Sequence, residues 1–198
     1  PFLDMTTHVM ERFGVELLVD VTPGCTRFIV EAPRRYQATV ITIEPDATNA
    51  MYFLAAAAIA GGRVTVRGLG ANSVQGDAEF VTLLARMGCL VERDASSVTV
   101  HGPVAGSRLL GIDVDLNAMP DTVPTLAVLA LFADSPTTIR NVANLRVKES
   151  DRLAALRTEL SKLGAKVEEA ADGLVIAPPP QLKPASIDTY DDHRMAMS

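Results

Sequence analysis

Residues 77–101, DAEFVTLLARMGCLVERDASSVTVH, read as one unit: an amphipathic helix, a glycine, a strand, a tight turn and a second strand. The helix ends Arg86-Met87-Gly88, and Gly88 suits a position just past a helix end that needs a positive φ. Two other segments follow the same order. The first, 7–31, has its helix ending Arg12-Phe13-Gly14; the other, 151–177, ends its helix Lys162-Leu163-Gly164. Pro23-Gly24, Ala95-Ser96 and Asp172-Gly173 are the expected hairpin connections. The three glycines recur about every 75 residues, a period too long for a solenoid.

Between these segments lies a second repeated pattern. Asp46 opens an apolar helix over 47–59, followed by a β-branched strand at 63–66. Asp121 opens another over 122–133, with a strand at 137–142. Asp192 begins a third copy, inside which the sequence stops. A helix without a polar face is expected to be buried on all sides, whereas the helix carrying Leu153, Leu156, Leu160 and Leu163 has one apolar stripe and faces water. Each unit then supplies an inner helix, an outer helix and about four strands. The expected fold is an α/β domain of pseudo-symmetric units around central helices. The soft stretch 68–76, GLGANSVQG, is the linker candidate.

At 198 residues the chain allows one domain or two small ones, and 48% hydrophobic with 21% charged residues is ordinary globular composition. A net charge of -6 argues against nucleic acid or an anionic membrane as general partner, so an anion site must be a local basic cluster. The apolar runs at 51–60 and 126–133 are far short of a bilayer span, and the start shows no signal-peptide pattern. Cys25 and Cys89 sit in strand-like apolar surroundings and are expected as buried thiols, which suits a reducing cytoplasm. His8, His101 and His193 are isolated, so no metal site is expected. A chain that starts at proline and stops just inside a helix is expected to be a piece of something larger.

Chemistry concentrates at three places. Residues 144–152, NLRVKESDR, lie between a strand-like run and an amphipathic helix, where backbone N–H groups and the positive end of a helix dipole point outward. Helix capping accounts for Glu149 and Asp151, with Ser150 as the cap. It leaves Lys148 and Arg152 at the unfavourable end of the dipole, which suggests an anionic ligand. Asp121 follows Met119-Pro120 and opens a buried helix; its carboxylate is either a simple cap or a rigidly held general base. Tyr190-Asp191-Asp192-His193-Arg194 is either a surface turn or a second anion grip, with Arg194 able to hold a carboxylate or phosphate in bidentate fashion. The basic loop Arg34-Arg35-Tyr36 between two expected strands reads first as exposed surface.

At these residues the chain resembles the EPSP synthase (3-phosphoshikimate 1-carboxyvinyltransferase) family of enolpyruvyl transferases. The likeness runs through 46–59, 72–77, Met119-Pro120-Asp121, 144–152 and 190–197. It implies an inside-out α/β barrel of repeated units, helices inside and sheets outside, truncated at both ends. Residues 1–72 would be the end of a first domain, and 73–198 an incomplete second domain. The implied reaction moves the enolpyruvyl group of phosphoenolpyruvate onto the 5-hydroxyl of shikimate 3-phosphate. It needs no metal or organic cofactor, and the implied partners are these small molecules alone, for a monomeric parent. By the same resemblance Asp121 is the general base and Glu149 shuttles the methylene proton. Asn144, Lys148 and Tyr36 would bind shikimate 3-phosphate; Arg152, Arg194 and His193 would bind phosphoenolpyruvate. Further substrate-gripping motifs of the family fall outside these residues, so the chain alone is expected to be inactive. The rival readings are the sister transferase acting on UDP-N-acetylglucosamine and a non-catalytic anion-binding scaffold.

Overall fold

A computed structural model describes residues 2–104 and 106–198. The first segment is helix α1 (Phe2–Arg12) and a hairpin of β1 (Leu18–Thr22) and β2 (Cys25–Ile29). Helix α2 (Ala47–Ala60) follows, then β3 (Arg63–Arg67), α3 (Phe80–Arg86), β4 (Leu90–Arg93) and β5 (Ser97–His101). The next unit comprises β6 (Asp113–Asp115), α4 (Val123–Ala130), β7 (Thr137–Arg140), α5 (Arg152–Lys162), β8 (Lys166–Ala170) and β9 (Gly173–Ala177). A short helix, α6 (His193–Met197), closes the chain.

The repeat is real in the backbone. Gly14, Gly88 and Gly164 all have positive φ, at 79°, 98° and 98°, the conformation that ends a helix without strain only at glycine. Among the described residues the strands form three sheets, ordered β1-β2, β3-β5-β4 and β6-β7-β9-β8. Val64 and Val66 on β3 face Val100 and Val98 on β5, so one pleat face of that sheet is apolar. β6 runs parallel to β7; the other pairings are antiparallel.

Helices pack on helices in the middle: α2 on α3 and α4, and α4 on α5, while the two larger sheets, β3-β5-β4 and β6-β7-β9-β8, cover these helices from outside. Ala55 and Ala58 of α2 and Ala127 and Ala130 of α4 are buried, and side chains this small permit close helix approach. Seven of the eight residues of α4 are buried. Its Leu126 and Leu129 each contribute about 1.5–3 kcal/mol by leaving water. The inner helix therefore holds whatever precedes it in a fixed place.

Several expectations need correction. α2 is apolar all round but not buried all round: Phe53 is 65% exposed on its open side. Cys89 is buried, whereas Cys25, in a hairpin with no layer over it, is exposed. The last hairpin pairs Ala170 with Gly173, so its turn is Ala171-Asp172, one residue earlier than expected. The strand count falls short of four in the earlier units. β6 precedes α4, but the matching stretch 37–44 before α2 forms no strand and leaves Val40 and Ile43 exposed.

The glycine-rich stretch at 68–76 is a contact, not a flexible linker. A Cβ on Gly70 would lie 2.5 Å from the Asp94 carbonyl oxygen and 2.6 Å from the Ser96 nitrogen. Arg93 and the Ala71 amide tie the same stretch to the β4–β5 hairpin. A boundary at 72/73 thus cuts a sheet, with β3 before it and β4 and β5 after it. The thin place in the packing lies earlier, ahead of Asp46, because α1 buries no residue and the main core starts at Met51.

Candidate active site

Three strand-to-helix junctions deliver the site. At the first, residues Pro120–Thr122 make a single tight turn into α4, and Pro124 near the helix start has no N–H to satisfy. Among the described residues Asp121 consequently makes no capping bond, and its half-buried carboxylate accepts from Arg152 instead.

At the second junction, Asp151 caps α5 by accepting the Ala154 amide at 3.1 Å, the role expected of Ser150. Arg146 fastens the preceding turn to the β8–β9 hairpin. It donates to the Ala170 and Ala171 carbonyl oxygens and pairs with Glu169 and Asp151. With both ends pinned, Lys148 and Glu149 project from the junction. Arg152, the first residue of α5, turns inward and is 1% exposed.

The third junction supplies Asp192, also 1% exposed. Its carboxylate meets Arg152 in a two-pronged bond, Nε to Oδ2 at 2.8 Å and Nη2 to Oδ1 at 3.1 Å. It also accepts the Ser150 hydroxyl and the Arg194 amide, each at 2.9 Å. Burial alone would raise the Asp192 pKa. The bonds from Arg152, Ser150 and the Arg194 amide outweigh it and hold the group at about 2. Burial likewise opposes the Arg152 charge, but Asp192, Glu149 and Asp121 more than restore it.

Around this buried pair the remaining groups converge. Asp121 Oδ1 lies 3.0 Å from Arg152 Nη1 and 3.7 Å from Lys148 Nζ, and its Oδ2 lies 3.8 Å from Arg194 Nη2. Glu149 Oε2 accepts from Arg152 Nη2 at 2.7 Å, and Glu149 Oε1 is 3.6 Å from His193 Nδ1. Arg194 also donates to the Tyr52 hydroxyl at 3.4 Å, while its buried Nε has no hydrogen-bond partner among the described residues. Nearby, burial raises the pKa of Asp77, helped by the charges of Asp121 and Asp46 and opposed by the Thr48 hydroxyl and Arg194. The site thus has a buried floor, Arg152 with Asp192, and an exposed mouth of Lys148, Glu149 and His193.

Six of the eight candidates meet here: Asp121, Lys148, Glu149, Arg152, His193 and Arg194. Two do not. Asn144 is exposed and makes no hydrogen bond to the cluster among the described residues. Tyr36 stands edge-on to Phe13, ring centroids 6.3 Å apart, beside the first hairpin. Arg152 is offset by three carboxylates of the protein itself, so no ligand is needed to explain it. Asp192, weighed only as a cap and turn residue, is the site's buried anchor. Ser150 was expected only as a helix cap, and Tyr52 and Asp77 stood inside stretches of family likeness without being singled out for the site. A cleft of about 670 Å³ between α1 and residues 40–46 is lined by apolar and polar side chains in equal number, and none of the clustered residues borders it.

The model of the EPSP synthase (3-phosphoshikimate 1-carboxyvinyltransferase) family matches residues 1–198. The chloroplastic 3-phosphoshikimate 1-carboxyvinyltransferase of Brassica napus is 52% identical over 203 residues, covering all of this chain and 39% of that protein. The protein of that name from Paraburkholderia phytofirmans is 50% identical over 200 residues, covering all of this chain and 45% of its own length. A solved structure of EPSP synthase from Acinetobacter baumannii matches with TM-score 0.79 at 26% identity, over 98% of this chain and 46% of that one. The chain therefore spans less than half the length of these relatives. These matches take the EPSP synthase side of the choice that the residues left open. With that sequence agreement, and the helices-inside fold around the Arg152 cluster, the chain belongs to the EPSP synthase family.

Proposed function

We propose that the full-length protein transfers the carboxyvinyl group of phosphoenolpyruvate to the 5-hydroxyl of shikimate 3-phosphate and releases phosphate. One observation carries the reading. A single buried guanidinium, Arg152, bonds Asp121 at 3.0 Å and Glu149 at 2.7 Å. Two carboxylates held by one rigid cation suit a reaction that moves two protons at neighbouring atoms.

On this reading Asp121 takes the hydroxyl proton as the oxygen bonds to C2 of phosphoenolpyruvate. Glu149 gives a proton to the methylene carbon in the same addition. It takes one back from the new methyl group when phosphate leaves with the electron pair of its C–O bond. One C–O bond forms, one breaks, the vinyl group is restored, and the proton that Asp121 took leaves with the released phosphate. Lys148 and, from the exposed turn before it, Asn144 would hold shikimate 3-phosphate. Arg194 and His193 would hold phosphoenolpyruvate, with the one Nη1 hydrogen of Arg152 that Asp121 leaves free. Proton transfer and anion binding are sufficient, so no metal or organic cofactor is invoked.

Lys148, Arg152 and Arg194 face Asp121, Glu149 and Asp192, so the cluster is neutral with Glu149 ionised and gains only one positive charge when Glu149 carries the proton it donates, too little for two polyanionic substrates. The 198-residue chain alone is accordingly expected to show little or no turnover. Phosphate release tests both statements. The full-length protein should release phosphate only when both substrates are present. Release that needs no shikimate 3-phosphate, or a comparable rate from the 198-residue chain, would sink the reading.

A further inference from the structure

Asp192 and Arg194 reach the site at the end of residues 178–192, a stretch without helix or strand. The two residues before Asp192 are both left-handed: Tyr190 at φ 57° and Asp191 at φ 51°. Aspartate tolerates that region, but a bulky tyrosine adopts it rarely and under strain. Such a conformation persists only where surrounding contacts over-determine it.

Those contacts come from α5. The Tyr190 hydroxyl donates to Glu159 Oε1 at 2.7 Å, and the Asp188 amide donates to Glu159 Oε2 at 3.1 Å. Lys162 Nζ reaches Glu159 Oε2 at 2.8 Å and Asp188 Oδ2 at 3.0 Å. Glu159 is 3% exposed, a burial that glutamate tolerates only when paired. Burial pushes its carboxyl up, yet the bonds from Lys162, Tyr190 and the Asp188 amide prevail and keep it below the usual range. The bond to Glu159 in turn raises the Tyr190 phenol.

Glu159 lies seven residues beyond Arg152, about two turns along the same face of α5. The helix thus grips the incoming segment twice, through Arg152 at Asp192 and through Glu159 at Tyr190 and Asp188. We propose that the Glu159–Tyr190 clasp is a positioning device for the phosphoenolpyruvate side of the site. It holds the strained turn that sets where His193 and Arg194 stand, although neither of its members bonds to the Asp121 cluster. The inference rests on the reading of His193 and Arg194 given above.

Tyr190→Phe in the full-length protein keeps the ring and removes one bond. The KM for phosphoenolpyruvate should rise about fivefold, the effect of one lost hydrogen bond. The KM for shikimate 3-phosphate should change by less than about twofold, since Lys148 is held by its own junction. Glu159→Gln, which retains an acceptor for Tyr190 but loses the charge facing Lys162, should shift the same KM in the same direction. Equal rises in both KM values, a fall in kcat alone, or unchanged kinetics in both variants overturns the inference. A wild-type protein without turnover sinks the functional reading and the inference together, whereas an active wild type with unaltered variants sinks the inference alone.

Discussion

Asp46 and Asp121 stand at the same place in successive units, each just ahead of an apolar inner helix, and they do different things. Asp46 accepts the Asn49 amide at 3.0 Å and caps α2. Among the described residues Asp121 makes no capping bond, and it faces Arg152, Lys148 and Arg194. The cause lies in the neighbours. Ahead of α4 the tight turn is closed by the Thr122 amide and hydroxyl on the Met119 carbonyl oxygen, and Pro124 removes one donor. The junctions then differ in what they bring. The stretch 68–77 supplies Gln75 and Asp77 to the start of α2, with Gln75 donating to Glu44 and accepting the Ala47 amide. The matching stretch 144–152 supplies Lys148, Glu149 and Arg152 to the start of α4. One copy of the repeat uses its aspartate as a helix cap; the next aims it at three cations, where the proposed function places the chemistry. Asp192, opening the third helix, does both: it caps α6 through the Arg194 amide and pairs with Arg152.

Alanine at each position breaks the comparison most directly. Asp121→Ala in the full-length protein should lower turnover by about 10²–10⁴-fold, the range for removing a general base. Equal turnover losses from Asp46→Ala and Asp121→Ala would erase the contrast between the two junctions.

Acid sharpens the third case. The Asp192 carboxyl is held at about 2 in the folded protein, against about 3.9 for a free aspartate. A depressed pKa contributes stability that is fully present above the unfolded value and lost as pH falls through the folded one. Urea midpoints of the full-length protein should therefore fall between about pH 4 and pH 2. Asp192→Asn should flatten that slope and lower stability at neutral pH, because it leaves Arg152 buried with less compensation. An unchanged slope in the variant would contradict the pairing. The smallest effect is that of Asp46→Ala on stability, about 1 kcal/mol for a lost cap, read from the denaturant midpoint.

Local pattern made much of this legible. The three helix-ending glycines, the inner helix after Asp46 and the charged junction at 144–152 are all set by neighbours in sequence, and all are found where expected. What depends on distant partners was not legible. Asp192 reaches Arg152 across 40 positions, so a single-chain reading found its capping role and missed its ion pair. The charge of Arg152 at the unfavourable end of the dipole was unexplained for the same reason, because two of its three compensating carboxylates, Asp121 and Asp192, arrive from other junctions. The glycines at 68–76 announced flexibility, but Gly70 is there because the β4–β5 hairpin leaves no room for a side chain. Tyr36 was assigned by resemblance alone; its ring stands edge-on to Phe13.

The central claim is that Arg152 holds Asp121 and Glu149 as a pair of proton-transferring groups. Glu149→Gln in the full-length protein tests it most directly, because the amide keeps the side chain's shape and can still accept from Arg152. Turnover should fall at least about 100-fold, while shikimate 3-phosphate binds as tightly as to the wild type. Wild-type turnover in this variant would contradict the account.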